Sequence, residues 1–342
     1  MAPLSAVTGR NNFMNSVMAT ENNTTVTISE FKPDVIFIDE ITRTEITFKL
    51  DKGESYIIEG ADSYFENWSG YIGTKIVSDK PVVIANGNFN GQYTTTSGNA
   101  DILMDQSVPI NKLGKTFVMV KGNGENGYDY FGNQVTMEKA MIVATKDNTK
   151  IYLNGNTIPV ATLKAGEYYA TPPGSYINQG LDHFNMYIEA SEDVYVYQLL
   201  AGLGDNSDAT GGFNYIPPLS CYLPKKIDEI GLINENEYTS NNVPYSLTVS
   251  TKLNIITEKG ATIDVKRNGT SLTISPANGP YSVSGNSNWV TYSIPDISGN
   301  ISITSTHAVT AGITAGNDAV GYGGFFAGFS SIPMIVKIEG ES

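Results

Sequence analysis

This chain repeats itself with a period of about 113 residues. A glycine followed two or three residues later by a tyrosine recurs at Gly53, Gly166 and Gly279. A second pattern, a polar turn followed by an apolar strand, recurs over residues 78–85, 191–198 and 305–312. Two independent patterns with nearly the same spacing predict three related units. Repeated units usually pack side by side and present surfaces, whereas a catalytic centre is commonly built once from unlike parts.

The 342 residues leave room for two or three domains, and the repeat decides for three. We predict β modules at residues 1–121, 122–232 and 233–342. The first module has a longer interval from its opening strand to Gly53 than the second module has to Gly166. We therefore predict an insertion around residues 31–39 that forms one extra hairpin.

Alternation of apolar and polar residues predicts strands in every module. Residues 25–28 and 300–303 show the two-residue period of a half-buried strand. Residues 22–23, 147–148 and 259–260 occupy the same turn between two such strands, and asparagine and glycine tolerate positive φ there. The predicted fold class is all-β, with three tandem antiparallel β-sandwich-like modules.

The charge balance limits the partners. With 35 acidic and 21 basic residues the net charge is −14, which repels phosphate backbones and anionic membranes. We expect no nucleic-acid partner. No run reaches the roughly 18 to 20 apolar residues of a membrane span, so we expect no membrane insertion. The first residues show no secretory leader, so either the protein stays inside the cell or the chain is a mature piece of a longer precursor.

Signals for catalysis are weak. The two histidines are natural acid-base candidates near neutral pH, but His307 takes a position that Lys80 and Asp193 take in the other modules, which indicates an exposed turn. His183 fits equally well as a hydrogen-bonded residue at a strand edge. The single cysteine lacks a partner motif, and the common hydrolase and nucleotide-binding signatures are absent. We expect no catalytic residues and no enzyme.

One loop, residues 204–211, has the composition of a calcium site. Asp205 and Asp208 stand among asparagine, serine and threonine, and calcium takes several oxygen ligands from a loop. The spacing is not that of an EF-hand, and a solvated turn explains the same residues. We therefore expect no cofactor, with calcium at Asp205 and Asp208 as the open alternative.

An aromatic segment in the first module is the candidate for ligand binding. Tyr64, Trp68 and Tyr71 lie close together beside glycine and serine. Aromatic rings on such a loop stack on sugars or anchor a protein interface at low entropic cost. The alternative is that these rings are buried strand residues.

Four further segments carry a family resemblance; they are residues 143–149, 163–169, 188–198 and 215–218. Through them the chain resembles the IgGFc-binding protein N-terminal domain family, from residue 8 to about residue 333. The resemblance implies an extracellular, non-enzymatic β protein. Bacterial members are large surface or secreted proteins, many in Bacteroidetes. The family is named after an animal mucus protein, and immunoglobulin binding is not implied for this chain.

Together these features predict a binding or adhesion unit of a larger bacterial surface protein. Its partners would be a protein or glycan ligand on a host or neighbouring surface, and other domains of a longer parent chain. Two alternatives stay open: a structural spacer or filament subunit, and a glycan-acting enzyme. A binding unit predicts an exposed aromatic or metal-lined patch confined to one module, a spacer predicts uniformly polar faces, and an enzyme predicts a cleft with paired carboxylates.

Overall fold

The computed structural model confirms the all-β fold class. It describes residues 12–62, 64–91, 101–122, 127–128, 134–135, 138–172, 174–201, 211–220, 223–235, 237–240, 243–246, 249–317 and 320–325. The regular elements among them are strands, apart from one short α-helix and two 3₁₀ turns. The strand pairs in these ranges are antiparallel, as the alternating sequence pattern predicts.

Seven strands and the α-helix form a first group of sheets. They are β1 (Phe13–Ala19), β2 (Thr24–Ser29), β3 (Glu45–Leu50), β4 (Ser55–Glu59), α1 (Asn67–Gly70), β5 (Lys75–Ser78), β6 (Val82–Gly91) and β7 (Asp101–Ser107). One sheet has the order β4-β1-β6-β7 and the other has the order β3-β2-β5. One buried core contains Phe13, Val17, Val26 and Ile28. Each of these residues alternates along its strand with a more exposed one, which places their side chains on the covered face of the sheet.

The second group is built around one long strand, β16. Its strands are β8 (Gly114–Val120), β9 (Gly127–Tyr128), β10 (Gln134–Val135), β11 (Lys139–Ala144), β12 (Thr149–Leu153), β13 (Ala161–Leu163), β14 (Tyr168–Ala170), β15 (Ile177–Asn178), β16 (Phe184–Ala201) and β17 (Gly211–Tyr215), preceded by the 3₁₀ turn η1 (Ile110–Lys112). The first half of β16 pairs with β8, β12 and β15, and the second half pairs with β11 and β17. The register shifts between Glu189 and Val194, and such an irregularity bends a strand.

The third group contains two larger sheets and a small hairpin. Its elements are β18 (Lys226–Ile233), β19 (Glu237–Ser240), β20 (Val243–Ser246), β21 (Ser250–Glu258), β22 (Ile263–Arg267), β23 (Thr270–Ser271), the 3₁₀ turn η2 (Pro276–Asn278), β24 (Tyr281–Ser282), β25 (Trp289–Ile294), β26 (Gly299–Ser305), β27 (Val309–Asn317) and β28 (Val320–Phe325). The sheets have the orders β18-β26-β22-β23 and β24-β25-β21-β27-β28. Leu253, Ile255, Val265 and Ile303 are fully buried in one core that both sheets share.

The pairing of one strand, β8, crosses the predicted module boundary at residue 121. β8 lies within residues 1–121, yet it pairs with β16, so its hydrogen bonds attach it to the second group. The described strand pairs otherwise stay within the three groups. Division at residues 1–121, 122–232 and 233–342, and the count of three repeats, stay predictions.

The insertion in the first group does not form the expected hairpin. Between β2 and β3 the backbone makes a single bridge, from Phe37 to Gly60. The side chain of Asn67 instead accepts a hydrogen bond from the Ile36 N–H at 2.9 Å and donates to the Ile36 carbonyl at 2.6 Å. The Ile36 carbonyl also accepts a hydrogen bond from the Ala61 N–H at 2.9 Å, so the amide of Asn67 supplies the partner that the Ile36 N–H would have found on a strand. Phe31, Val35 and Phe37 are buried, so this segment closes the core.

Apolar clusters join neighbouring groups. Ile72 and Leu103 of the first group lie in one buried cluster with six residues of the second: Met141, Val143, Tyr197, Leu199, Phe213 and Tyr215. A second cluster contains Val118, Val120 and Tyr187 of the second group and Ile256, Val283, Trp289 and Ala308 of the third. Shared apolar burial of this kind disfavours free rotation at the joints.

Candidate binding surfaces

The aromatic segment 64–71 divides into exposed and buried parts. Phe65 is 63% exposed, and its ring centroid lies 4.5 Å from that of Trp68, which is half-buried. Tyr64 is also half-buried. Tyr71 is only 1% exposed and stacks on Phe13 with centroids 4.0 Å apart. Tyr71 is therefore a core residue in this structure and does not line a surface, because its side chain faces the sheet interior. The outward pair is Phe65 and Trp68.

Asn67 holds this pair in place. It lies at the start of α1 and is 2% exposed. Besides its two bonds to Ile36, it donates to the Ala61 carbonyl at 3.0 Å. The Lys32 ammonium donates to the Ser69 hydroxyl at 3.2 Å on the same helix. Rings carried on a fixed support lose little entropy on binding, which favours their use as anchors.

Exposed apolar side chains concentrate on the first group. In the part of the chain that the structure describes, ten of the sixteen exposed large apolar residues lie in this group, between Met18 and Ile102. The exposed aromatic residues among them, Tyr56, Phe65 and Phe89, all belong to this stretch. Scattered exposed apolar residues are normal, but a concentration in one region marks an interaction surface.

Part of this concentration lies on the outer face of the sheet β4-β1-β6-β7. Met18 faces Val83 directly across the β1-β6 pair, and Ile57 lies opposite Ser16 on the other side of β1. All three apolar side chains are exposed. The second sheet of the same group differs, since Thr27 and Thr47 face each other on its outer side with hydroxyl oxygens 3.1 Å apart. Thr27 also faces the exposed Val77 across the β2-β5 pair, so this outer face is mixed, whereas the three neighbouring exposed residues of the other sheet are all apolar.

His183 is part of the contact between the second and third groups. It is 5% exposed, its Nε2 lies 2.7 Å from the Thr291 hydroxyl, and its ring stacks on Tyr281 at 4.0 Å. Asn185 donates to the same hydroxyl at 2.9 Å. Burial, with the positive charge of Lys252 nearby, lowers the pKa of His183 to about 4. These contacts give His183 a structural role.

Two charged side chains, the half-buried Lys252 and the buried Glu138, lie at the same joint. The Lys252 ammonium donates to the carbonyls of Lys121 and Gly122, at 2.6 and 3.0 Å. Glu138, which is 3% exposed, accepts a hydrogen bond from the Gly122 N–H at 2.5 Å. Burial lowers the pKa of Lys252 to about 8, and the charge of Glu138 opposes that shift. Hydrogen-bonded charges of this kind fix one arrangement of the joint.

A cleft of about 620 Å³ opens on another part of this joint. Its lining is Thr116, Leu219, Ser220, Glu258, Lys259, Ser287, Asn288, Trp289 and His307. His307 is exposed, as its turn position predicts, and its Nδ1 lies 2.9 Å from the Thr306 hydroxyl. Sequence reasoning missed the cleft because its walls come from five separate segments of the chain.

The predicted calcium residues Asp205 and Asp208 lie outside the described residues, so calcium binding there stays a prediction. Within the described ranges, no group of three or more His, Cys, Asp or Glu side chains is arranged to hold a metal ion.

Comparison with known proteins gives a family. The sequence profile described as IgGFc binding protein matches residues 4–315. The chain belongs to the IgGFc binding protein family. This confirms the resemblance found in the strand and turn segments of the sequence. No curated protein matches this chain. Among solved structures, an apo lectin from Pleurotus ostreatus aligns at 13% identity over 64% of this chain and 78% of the lectin chain, with a TM-score of 0.17.

The described part of this chain contains no helical segment with the length and hydropathy of a transmembrane span.

Proposed function

We propose that this chain is a non-catalytic binding module that docks a protein partner through the first group of sheets. The observation that carries the proposal is the concentration of exposed apolar side chains there, with Phe65, just before α1, packed against Trp68 on that helix. Aromatic side chains at rigid positions contribute most of the binding energy in many interfaces. Membership of the IgGFc binding protein family supports a binding role without naming the ligand.

A protein partner fits this surface better than a glycan does. Met18, Ile57 and Val83 are aliphatic residues on a strand face, and aliphatic faces are typical of protein interfaces. A glycan that stacks on Phe65 and Trp68 is the second candidate, since tilted rings at a surface also bind sugars.

A structural spacer would show equally polar faces on all three groups. The first group departs from that expectation in the described residues, because its exposed side chains include ten large apolar ones. This contrast favours a binding unit over a spacer.

We place the module outside the cell, as one part of a longer bacterial surface or secreted protein. The family resemblance supports that location. Rigid joints between groups also suit a unit that holds one binding face away from its anchor.

The test is a binding screen of the whole chain against arrays of extracellular proteins, mucins and glycans. Each array is run with calcium and with a chelator, and each well is assayed for product. We expect a protein ligand that wild type retains without turnover, and that a Phe65→Ala/Trp68→Ala double variant loses by about thirtyfold. Ile158→Ala/Leu181→Ala is the matched control, since both residues are exposed and lie in the second group.

The other results of the screen would support one of the alternative functions. Retention of a glycan alone, lost in the double variant, would move the assignment to sugar binding. Retention that requires calcium would bring the loop with Asp205 and Asp208 into the site. Product formation would overturn the non-catalytic assignment, and the absence of any ligand in all conditions would favour the spacer.

A further inference from the structure

The cleft between the second and third groups is a second site, independent of the first-group surface. Thr116 and Leu219 belong to one wall, and Glu258, Asn288 and Trp289 belong to the other. Neither group closes the cleft alone. The joint beneath it is fixed, because the Val309 N–H donates to the Pro224 carbonyl at 2.9 Å and Trp289 packs in the shared apolar cluster. A fixed joint gives the cleft a preformed shape, and its volume is typical of small-ligand sites.

Two lining residues come together through strand pairing. Glu258 is directly opposite Trp289 in the β21-β25 pair, and opposite residues place their side chains on the same face. The Lys259 N–H donates to the Asn288 carbonyl at 2.7 Å, which continues the same hairpin. The carboxylate, the indole and the amide of Asn288 therefore border one space.

The polar groups of this wall are available to a ligand. Glu258 and Lys259 make no ion pair within the described part of the chain, and the amide of Asn288 and the indole N–H of Trp289 have no hydrogen-bond partner there. Polar groups that stay unpaired inside a concave site favour a ligand that supplies the missing bonds.

The charges in the lining decide the ligand class. One carboxylate and one ammonium cancel, so the cleft offers no net attraction to an anion or a cation. The remaining polar lining consists of hydroxyls, one amide, one imidazole and the indole N–H of Trp289, which together donate and accept hydrogen bonds. We propose that the cleft binds an uncharged, hydroxyl-rich ligand the size of a di- or trisaccharide.

Tryptophan fluorescence tests this directly, because the chain has two tryptophans. In the full chain with Trp68→Phe, Trp289 is the single emitter and reports the cleft. The probes are lactose, maltotriose and triacetylchitotriose, with sialyllactose as the charged counterpart of lactose and trialanine as a peptide. We expect at least one neutral sugar to change the Trp289 emission saturably, and sialyllactose to bind less tightly than lactose if lactose is the binder.

Site variants then separate cleft binding from a remote effect. Glu258→Gln removes one charge from the cleft and should weaken the neutral sugar by about tenfold. Glu229→Gln is the matched control, since Glu229 is exposed on β18 outside the lining, and it should change nothing. No saturable response to any neutral sugar, a response to sialyllactose or trialanine alone, or equal affinities for Glu258→Gln and wild type would overturn the proposal. Because Trp68→Phe removes the tryptophan of the first-group surface, the emission reports the cleft alone. Each result is therefore independent of binding at that surface.

Discussion

At the scale of single residues, Asn67 shows how one side chain determines a loop. Its amide replaces a partner strand for Ile36 and also bonds Ala61. Asn67→Ala leaves the half-buried Ile36 N–H without its partner, while the carbonyls of Ile36 and Ala61 keep bonds from the Ala61 N–H and the Asn12 amide, so we expect the free energy of unfolding to fall by about 2 kcal/mol. Denaturant unfolding measures this. Glu66→Ala, at the exposed neighbouring position, should have little effect, and equal losses for both variants would contradict the assigned role.

The buried histidine makes a second prediction at this scale. Because burial lowers the pKa of His183 from 6.5 to about 4, the unfolded chain binds a proton between these pH values that the folded chain does not bind. The free energy of unfolding therefore falls as the pH is lowered through this window. Melting temperatures from pH 7 to pH 4 should fall less steeply for His183→Gln than for wild type. His307→Gln is the control, and a wild-type slope matched by His183→Gln would refute the account.

Turn residues were predictable one by one. Asn23, Asn148 and Gly260 all have positive φ, as the repeated turn predicts, because few other residue types accept that backbone conformation at low cost. Exposure was not predictable in the same way. Tyr71 and Trp68 stand in the same short segment, yet one is core and the other is partly exposed, since burial depends on the distant residue Phe13.

At the scale of elements, strands and their alternation were readable from the sequence, whereas their partners were not. The pairing of β8 with β16 joins residues far apart in sequence, and local periodicity carries no information about such a partner. The missing hairpin at residues 31–39 has the same cause. The extra length of this segment predicted a strand pair, but Asn67 from the later helix α1 bonds its backbone instead.

Two glycines, Gly73 and Gly285, make close contacts between groups. Each can be compared with a control glycine that has nearly the same φ and no such contact. A Cβ on Gly73 would lie 2.0 Å from the Gly166 carbonyl oxygen, whereas one on Gly53 would meet nothing within 4 Å. Their φ values are +86° and +85°, so alanine costs about 1 kcal/mol of backbone strain at either position. The clash should cost Gly73→Ala about 2 kcal/mol more.

The same comparison applies at the other joint. Gly285 and Gly260 both have φ of +87°, and only Gly285 approaches another group, with a Cβ 2.2 Å from the Gly155 nitrogen. We expect Gly285→Ala to destabilise the chain more than Gly260→Ala in denaturant unfolding. Equal losses within each pair would mean that the groups do not pack through these glycines.

At the scale of the whole molecule, the period of about 113 residues indicated where the repeated units lie. It did not indicate that β8, before the predicted boundary, pairs with a strand after it. A fragment covering residues 122–232 lacks β8, while a fragment covering residues 108–232 keeps it. We expect only the longer fragment to show a cooperative thermal transition by circular dichroism, because β8 supplies Phe117 and Met119 to the core of the second group. Similar transitions in both fragments would favour the boundary at residue 121.

The aromatic segment with Trp68 was found from the sequence, but the cleft and the apolar sheet face of the first group were not, because both depend on the assembled molecule. The cleft needs two groups to form its walls. The surface needs the outer face of one sheet to be known, since the residues that point outward follow from which sheet face is covered.

The central claim is that the first group carries the binding face. Its most direct test is the dissociation constant of an array-selected protein ligand, measured by surface plasmon resonance for wild type, Phe65→Ala/Trp68→Ala and Ile158→Ala/Leu181→Ala. We predict a loss of about thirtyfold for the first double variant and none for the second. Unchanged affinity in Phe65→Ala/Trp68→Ala, or an equal loss in both, would contradict the claim.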